Sequence, residues 1–252
     1  MQRSHNRAYN ELRPLNLTCG ISSHADGSVL FEIGNTKVLC TVSLTGQVPI
    51  FLRGRKKWWL TASYSLLPAS TKNRIERESL SKRNERSIEI SRLIGRSLRS
   101  VVDLSNKLSE KTVHIDCDVI QADGGTRTAC ITGSFIALKL AEQKWLQKGL
   151  LESPIITEEI AAISVGLLKN EILLDIDFAE DSNVKADFNF VLTRSGNVVE
   201  IQGSAEQEPV SWQQIVEMQE VADNGVKKLL AFIDQMIDCP KKSPKILHLE
   251  NI

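Results

Sequence analysis

The sequence predicts an α+β fold in which mixed or antiparallel sheets pack against helices. Runs of β-branched and apolar residues precede a long helical segment in each half of the chain, roughly residues 14–148 and 158–237. Because the strands come in runs and do not alternate one by one with helices, a doubly wound parallel sheet is not favoured. A chain of 252 residues, 42% of them hydrophobic, has the length of one large domain or two small ones.

We expect the two halves to form a single domain over residues 1–237. Residues 238–252 contain two prolines and have no regular hydrophobic period, which predicts a flexible C-terminal extension.

The first half begins with a predicted β-hairpin. Residues 28–34 and 36–44 are apolar and β-branched, and Gly34-Asn35 between them is typical of a tight turn. Residues 71–85 are polar and charged, which predicts a mobile loop. A helix is predicted to begin at Ser87, with an apolar face surrounded by arginines.

The middle of the chain and the second half repeat this order. Apolar residues alternate with polar ones over residues 113–121, which predicts a strand, and a glycine-rich turn then leads into a long helix. Further strands are predicted within residues 160–202, one of them over 171–178. The last predicted element is an amphipathic helix over residues 209–237, with Pro209 in its first turn.

Composition disfavours several classes of protein. The chain has no run of ~18 apolar residues that would cross a bilayer, and its first residues lack the apolar core of a secretory signal. Five widely spaced cysteines without a Cys-x-x-Cys pair argue against a disulfide framework or a zinc site. The sequence also lacks a nucleophile elbow and a His-Glu-x-x-His motif, which disfavours serine and zinc hydrolases. We therefore expect a cytoplasmic protein with no membrane partner.

Charge is strongly segregated along the chain, although Lys plus Arg and Asp plus Glu both total 31. Residues 53–99 hold 13 Lys or Arg and four Glu, a balance of +9. Residues 171–220 hold two Lys or Arg and 11 Asp or Glu, a balance of −9. Two solvated faces of opposite sign would explain this, but the local field of the basic segment also suits a polyanionic partner.

The glycine-rich turn, Asp123 to Thr128, is the strongest motif. Gly125 would let the backbone approach an anion, and the free N–H groups at the following helix start point towards it. Thr126 adds a hydroxyl donor, and Arg127 adds a guanidinium that binds oxyanions in bidentate fashion. An ordinary turn with a solvated arginine is the alternative. The combination favours an oxyanion site.

An acidic loop between apolar strands is the second candidate. Asp181 and Asp187 are six residues apart and could converge on one divalent ion, for which hard oxygen ligands suit Mg²⁺. A solvent-exposed acidic loop is the alternative interpretation.

The basic segment is the third candidate, because its cations stand beside Trp58 and Trp59. Cations bind phosphates and aromatic rings stack on bases, so this composition is typical of single-strand nucleic-acid binding. The alternative is a core tryptophan pair flanked by a solvated loop. It should hold for at least one tryptophan, since adjacent strand residues face opposite ways.

Several of these segments together resemble the ribonuclease PH family. The resemblance rests on residues 38–41, 64–68, 89–99, 115–129 and 199–206, and matches continue in order from about Arg13 to Leu230. It implies a ribonuclease PH-type α+β domain and a phosphorolytic 3′→5′ exoribonuclease that trims tRNA precursors. Inorganic phosphate would be the co-substrate, Mg²⁺ or Mn²⁺ the metal, RNA rather than DNA the partner, and a homohexamer built as a trimer of dimers the assembly.

The resemblance also implies roles for individual residues. The phosphate site would comprise Arg86, Gly125, Thr126 and Arg127, and the catalytic, metal-binding pair would be Asp181 and Asp187. Cations would contact the RNA: Arg53, Arg55, Lys56, Lys57, Arg74, Arg77, Arg92 and Arg96.

Among the positions where the sequence departs from the family pattern, two bear on whether the chain is catalytic. The usual Arg-x-Asp-Gly-Arg is here Arg3-Ser4-His5-Asn6-Arg7, and the usual Gly-Gly-Arg is Asn84-Glu85-Arg86. These departures motivate the alternative of a non-catalytic RNA-binding ring subunit of the exosome type.

Overall fold

The computed structural model describes residues 3–79, 84–105 and 107–237, which form two β-sheets and four α-helices. The first sheet contains β1 (Leu15–Cys19), β2 (Gly27–Ile33), β3 (Thr36–Thr45), β4 (Trp59–Leu66) and β5 (Thr112–Gln121). Its spatial order is β1-β2-β3-β5-β4, with β4 and β5 parallel and the other neighbours antiparallel. The sheet is therefore mixed.

The second sheet is antiparallel throughout. It contains β6 (Ile160–Leu168), β7 (Glu171–Leu174), β8 (Ala186–Thr193) and β9 (Val198–Ala205), in the spatial order β7-β6-β8-β9. Strand β6 is buried along almost its whole length, so its near-continuous apolar sequence fits a strand covered on both faces.

Helix α2 joins the two sheets. The helices are α1 (Glu85–Arg99), α2 (Thr126–Gln147), α3 (Phe178–Asp181) and α4 (Trp212–Ile237). Helix α2 packs on β2 and β3 of the first sheet and on β6 of the second, α1 packs on β4, and α4 packs on β6. The hydrophobic core is therefore continuous across both sheets. The glycine-rich turn at the start of α2 lies where the two halves of the chain meet.

The α+β class and the order of the main elements agree with the prediction, but several boundaries differ. The strand predicted over residues 171–178 ends at Leu174, because Asp175 adopts a left-handed backbone conformation with φ of 55°. The helix predicted from Ser87 begins at Glu85, since the Asn84 side chain accepts a hydrogen bond from the Arg86 N–H. Strand β1 was not predicted at all.

The last helix begins at Trp212 rather than at Pro209. Ser211 and Gln214 form a capping box here: the Ser211 hydroxyl accepts from the Gln214 N–H at 3.2 Å, and the Gln214 side chain accepts from the Ser211 N–H at 2.9 Å. These bonds satisfy N–H groups that have no partner inside the helix, and so they set its first residue.

Residues 80–83, part of the predicted mobile loop, and the predicted C-terminal extension, 238–252, lie outside the described residues. No helix in the ranges given above is long and apolar enough to cross a bilayer.

Candidate active site at the start of helix α2

The glycine-rich turn presents the N-terminus of α2. Gly124 and Gly125 have φ of 77° and 65°, and Gly125 is the residue that immediately precedes the helix. Thr36 fixes the turn, because its hydroxyl donates to the Gly124 carbonyl at 2.7 Å and accepts from the Asp123 N–H at 3.0 Å. The first-turn N–H groups of a helix lack partners within it and attract an anion.

The hydroxyl of Thr126 lies 3.1 Å from that of Tyr64, which projects from β4. Tyr64 is buried, and this burial raises the pKa of its phenol. The phenol therefore stays protonated near neutral pH and can orient the threonine hydroxyl. Sequence reasoning did not select Tyr64 as a site residue.

Arg127 lies beside Glu89 of α1, with 3.4 Å between its Nη2 and a carboxylate oxygen of Glu89. Its Nε is buried and has no hydrogen-bond partner among the described residues. Gln202 of β9 donates to the other Glu89 oxygen at 2.6 Å. That hydrogen bond, together with the charge of Arg127, lowers the pKa of Glu89. The orphaned Nε leaves Arg127 with a donor for a ligand.

Arg86 is exposed in the first turn of α1 and faces the same site as Arg127. The positive charges of both arginines act on the same three groups, Tyr64, Glu89 and Asp181. Glu85, which belongs to the altered motif that motivated the non-catalytic alternative, is the first residue of α1 and is exposed. A carboxylate at that position favours the helix terminus.

The two aspartates of the acidic loop also lie close together. Asp181 ends α3, and Asp187 lies in β8, where it accepts a hydrogen bond of 3.2 Å from Ser204 of β9. Desolvation raises the pKa of Asp181, and the negative charges of Asp187 and Glu206 raise it further. The structure thus brings the predicted aspartates and the predicted arginines into one region. Glu206 is a neighbour that sequence reasoning did not single out.

Asp181 and Asp187 alone would not complete the coordination of a shared ion. Within the part of the chain that the structure describes, no group of three or more His, Cys, Asp or Glu side chains is placed to hold a metal. A divalent cation would need further oxygen ligands from water or from a bound phosphate, which is the usual coordination of Mg²⁺ in proteins.

The basic turn Arg53–Lys57 is exposed but lies away from this site. It precedes β4, whereas the site follows the far end of the parallel strand β5. Trp59 and Leu66 mark the two ends of β4, seven residues apart, so the separation is roughly 23 Å at about 3.3 Å per residue.

The tryptophans next to this turn are not free to stack on bases. Trp58 is fully buried, as the alternative interpretation expected for one of the pair. Arg99 lies over the ring of Trp59 at 4.7 Å, and Phe51 meets its edge at 5.5 Å. Phe51 is itself 58% exposed, so it is the aromatic ring that this turn presents.

The remaining predicted RNA contacts divide between two places. Arg74 and Arg77 are exposed on the segment after β4, at the same end of the sheet as the site. Arg92 and Arg96 lie on the exposed side of α1, but Arg96 makes a two-point ion pair with Glu200 of β9. Arg96 is therefore already engaged by a carboxylate.

Comparisons with known proteins agree with the resemblance. Domain 1 of the 3′ exoribonuclease family matches residues 11–143, and domain 2 of that family matches residues 158–225. Ribonuclease PH of Neisseria meningitidis is 50% identical over 225 residues, covering 89% of this chain and 93% of that protein. Ribonuclease PH of Bacillus pumilus is 49% identical over 226 residues, with the same coverage of 89% and 93%.

More distant solved structures share the fold. Rrp46 of rice superposes with a TM-score of 0.76 at 19% identity, covering 93% of this chain and 100% of that one. A chain of the Archaeoglobus fulgidus exosome with RNA bound to the active site gives a TM-score of 0.77 at 22% identity, covering 92% of each chain. On the sequence matches over most of its length, the chain belongs to the ribonuclease PH family of 3′ exoribonucleases.

Proposed function

We propose that the chain carries out the phosphorolytic 3′→5′ exoribonuclease reaction of its family at the start of α2. The observation that carries this proposal is that two arginine charges and the carboxylate of Asp187 all act on one group, Asp181. Arginine charges within electrostatic reach of a carboxylate pair suit a reaction in which one phosphate attacks another.

The anion pocket binds and orients the attacking phosphate. Arg86 and Arg127 neutralise its charge, Thr126 donates a hydroxyl hydrogen bond, and the backbone at Gly125 allows a close approach. The phosphate oxygen attacks the phosphorus of the last phosphodiester bond of the RNA. The bond to the O3′ atom of the preceding nucleotide breaks, and the terminal nucleotide leaves as a nucleoside diphosphate. O3′ takes up the proton that the attacking hydrogen phosphate carried. Phosphate is already anionic at neutral pH, so the step needs no general base.

Asp181 and Asp187 are proposed to hold Mg²⁺ or Mn²⁺. The charge of Asp187 disfavours the ionisation of Asp181, and a divalent cation bound between the two carboxylates would remove this repulsion. When bound, the ion would neutralise negative charge that develops on the scissile phosphate. The aspartates themselves fix where that charge is neutralised relative to Arg127.

The proposed macromolecular partner is RNA, with the 3′ ends of tRNA precursors as the substrate. Exposed cations on two faces, Arg53–Lys57 and Arg74–Arg77, would attract the phosphate backbone without reading its sequence. We further propose a homohexameric ring built as a trimer of dimers. Its support is the family resemblance, together with the shared fold of chains from archaeal exosomes.

A phosphate-dependence assay tests the proposal. The purified full chain is incubated with an RNA that carries a single-stranded 3′ tail, with and without phosphate and Mg²⁺, and the released nucleotides are separated by chromatography. We expect nucleoside diphosphates only when both phosphate and Mg²⁺ are present, and none from the Asp187→Asn variant. RNA binding without trimming, where a known ribonuclease PH trims the same RNA, would instead support the non-catalytic subunit.

A further inference from the structure

A buried cluster of arginines and carboxylates lies behind the carboxylate pair and is not part of the ligand-contacting set. Its members come from the N-terminal segment and from the segment between β7 and β8: Arg3, Arg7, Arg13, Asp175, Asp177 and Glu180. The side chains of all six are at most 7% exposed. We call this group the arginine cluster.

Arg3 and Arg7 converge on Glu180, the residue immediately before Asp181. Arg3 donates to both carboxylate oxygens of Glu180, from Nε at 2.7 Å and from Nη2 at 3.1 Å. Arg7 donates from Nη2 to one of those oxygens at 2.8 Å. The N-terminal segment thus binds the short helix that carries Asp181, although the bonded residues are more than 170 positions apart in the sequence.

Arg13 connects the segment just before α3 to the glycine-rich turn. Its guanidinium pairs with Asp175 through Nε at 3.0 Å and Nη2 at 2.7 Å, and its Nη1 donates to the Asp123 carbonyl at 2.7 Å. These two segments are also in direct contact, since a Cβ added to Gly124 would lie 2.6 Å from the carbonyl carbon of Asp177.

The short helix needs such external support. Helix α3 has only four residues, too few to be stable alone, because the first turn of a helix costs more conformational entropy than its hydrogen bonds return. Six buried charged groups are costly to desolvate and are compensated only by good geometry. The hydrogen bonds of the arginine cluster fix α3 and the glycine-rich turn relative to each other.

We propose that Arg3, Arg7 and Arg13 are positioning residues for the active site. Arg3 and Arg7 hold α3 so that Asp181 faces Asp187. Arg13 fixes the segment that leads into α3 against the glycine-rich turn, which binds phosphate. The inference rests on the proposed function only in treating Asp181 and Asp187 as the metal site. It also gives the N-terminal motif a role, which is carried by its two arginines and by Ser4.

Conservative variants separate positioning from simple stability. Arg7→Lys and Arg3→Lys keep a cation but lose the forked hydrogen bonds, so they should loosen α3 and leave the phosphate loop in place. We expect the Kd for Mn²⁺, measured by electron paramagnetic resonance on the full chain without RNA, to rise at least fivefold. The Mg²⁺ concentration for half-maximal phosphorolysis should rise by the same factor, while KM for phosphate at saturating Mg²⁺ changes less than twofold. Arg13→Lys should raise both the Kd for Mn²⁺ and KM for phosphate, because Arg13 contacts both segments.

Two control variants define the background. Arg194→Lys alters an exposed ion pair with Glu159 and Asp234. It should change neither the Kd for Mn²⁺ nor KM for phosphate. Ile233→Val removes one buried methyl group from α4 and should lower the melting temperature without changing the Kd for Mn²⁺. If the arginine variants do not fold, Ser4→Ala is measured instead. Ser4 contacts both Arg7 and Asp177, and its loss should shift the Kd for Mn²⁺ in the same direction by a smaller factor.

Two results would overturn the inference. A folded Arg7→Lys or Ser4→Ala protein whose Kd for Mn²⁺ equals that of the wild type would refute positioning, and so would an equal loss of affinity in Ile233→Val. The wild-type chain and Asp187→Asn separate this failure from that of the proposed function. If Asp187→Asn binds Mn²⁺ as tightly as the wild type, the metal site itself is wrong and the inference falls with it.

Discussion

The protein itself does not use the whole guanidinium of Arg127. Its Nε is buried without a hydrogen-bond partner among the described residues, and its ion pair with Glu89 is long, at 3.4 Å. A charge-assisted hydrogen bond contributes about 1.5–3 kcal/mol, which corresponds to roughly 10- to 150-fold in affinity. We expect Arg127→Ala to raise KM for phosphate by about that factor and to change the Kd for RNA much less. Arg127→Lys should be intermediate, since it keeps the charge and loses the fork. Equal losses in phosphate use and RNA binding would contradict this division of roles.

Asp181 gives the site a pH dependence whose sign follows from its surroundings. Desolvation and the charges of Asp187 and Glu206 raise its pKa, so it takes up a proton at a higher pH than an ordinary aspartate. The carboxylate ligand is therefore lost as the pH falls through that raised pKa. At limiting Mg²⁺ we expect activity to fall on acidification, and at saturating Mg²⁺ the fall should move to lower pH, because the bound cation favours the carboxylate. If the fall in activity at low pH occurs at the same pH at every Mg²⁺ concentration, protonation of Asp181 is not its cause.

The residues of the site differ in how far a sequence alone can predict them. Gly125, Thr126 and Arg127 are adjacent, so their chemistry and the following helix are visible together. Tyr64 acts on Thr126 across 62 residues, and Gln202 acts on Glu89 across 113. No local pattern marks such pairs, because only the folding of the sheets brings them into contact.

At the scale of elements, the contact between the glycine loop and α3 depends on the absence of a side chain at Gly124. Gly124→Ala would combine an unfavourable φ of 77° with a Cβ only 2.6 Å from the Asp177 backbone. Gly20→Ala is a matched control, since Gly20 has φ of 75° and nothing within 4 Å of the added Cβ. We expect Gly20→Ala to cost about 1–2 kcal/mol with activity retained. Gly124→Ala should cost more and lower kcat/KM at least tenfold. Similar kinetics for the two variants would show that the close contact is unimportant.

The start of α4 shows how local chemistry sets an element boundary. Pro209 suggested the first turn, yet the Ser211–Gln214 capping box places the first helical residue at Trp212. We expect Ser211→Ala to lower the free energy of unfolding by about 1 kcal/mol, as measured by urea denaturation. Phosphorolysis should be unchanged, because α4 packs on the second sheet away from the anion pocket. A change in KM for phosphate would contradict that separation.

For the molecule as a whole, the types of most elements could be predicted from the sequence, but their three-dimensional neighbours could not. Alternation and helical periodicity are local properties, so β2, β3 and β5 were predicted close to their observed bounds, and α2 was predicted as a long helix after the glycine-rich turn. The pairing of β4 with β5 joins strands separated by α1, and Arg3 meets Glu180 across 177 residues. These contacts depend on how the two halves close around α2, which periodicity does not encode.

The same closure places the basic turn and the anion pocket at opposite ends of β4, roughly 23 Å apart at about 3.3 Å per residue. An RNA whose 3′ end lies in the pocket would span that distance with about seven stacked nucleotides at 3.4 Å each. We therefore expect the triple variant Arg55→Gln, Lys56→Gln, Lys57→Gln to weaken binding of a single-stranded RNA of about 20 nucleotides. Its salt slope should fall by up to about 2, since each phosphate contact on a single strand contributes about 0.7.

An RNA of three or four nucleotides cannot reach from the pocket to the turn on this geometry, so the same triple variant should degrade it at the wild-type rate. Lys148→Gln, at an exposed position after α2, controls for the loss of a single positive charge away from the turn. It should leave the binding and trimming of both RNAs unchanged. Filter binding at several salt concentrations and single-turnover trimming of both RNAs provide the measurements. If the short RNA is affected as strongly as the long one, the turn must act on the pocket itself and not on the path of the strand.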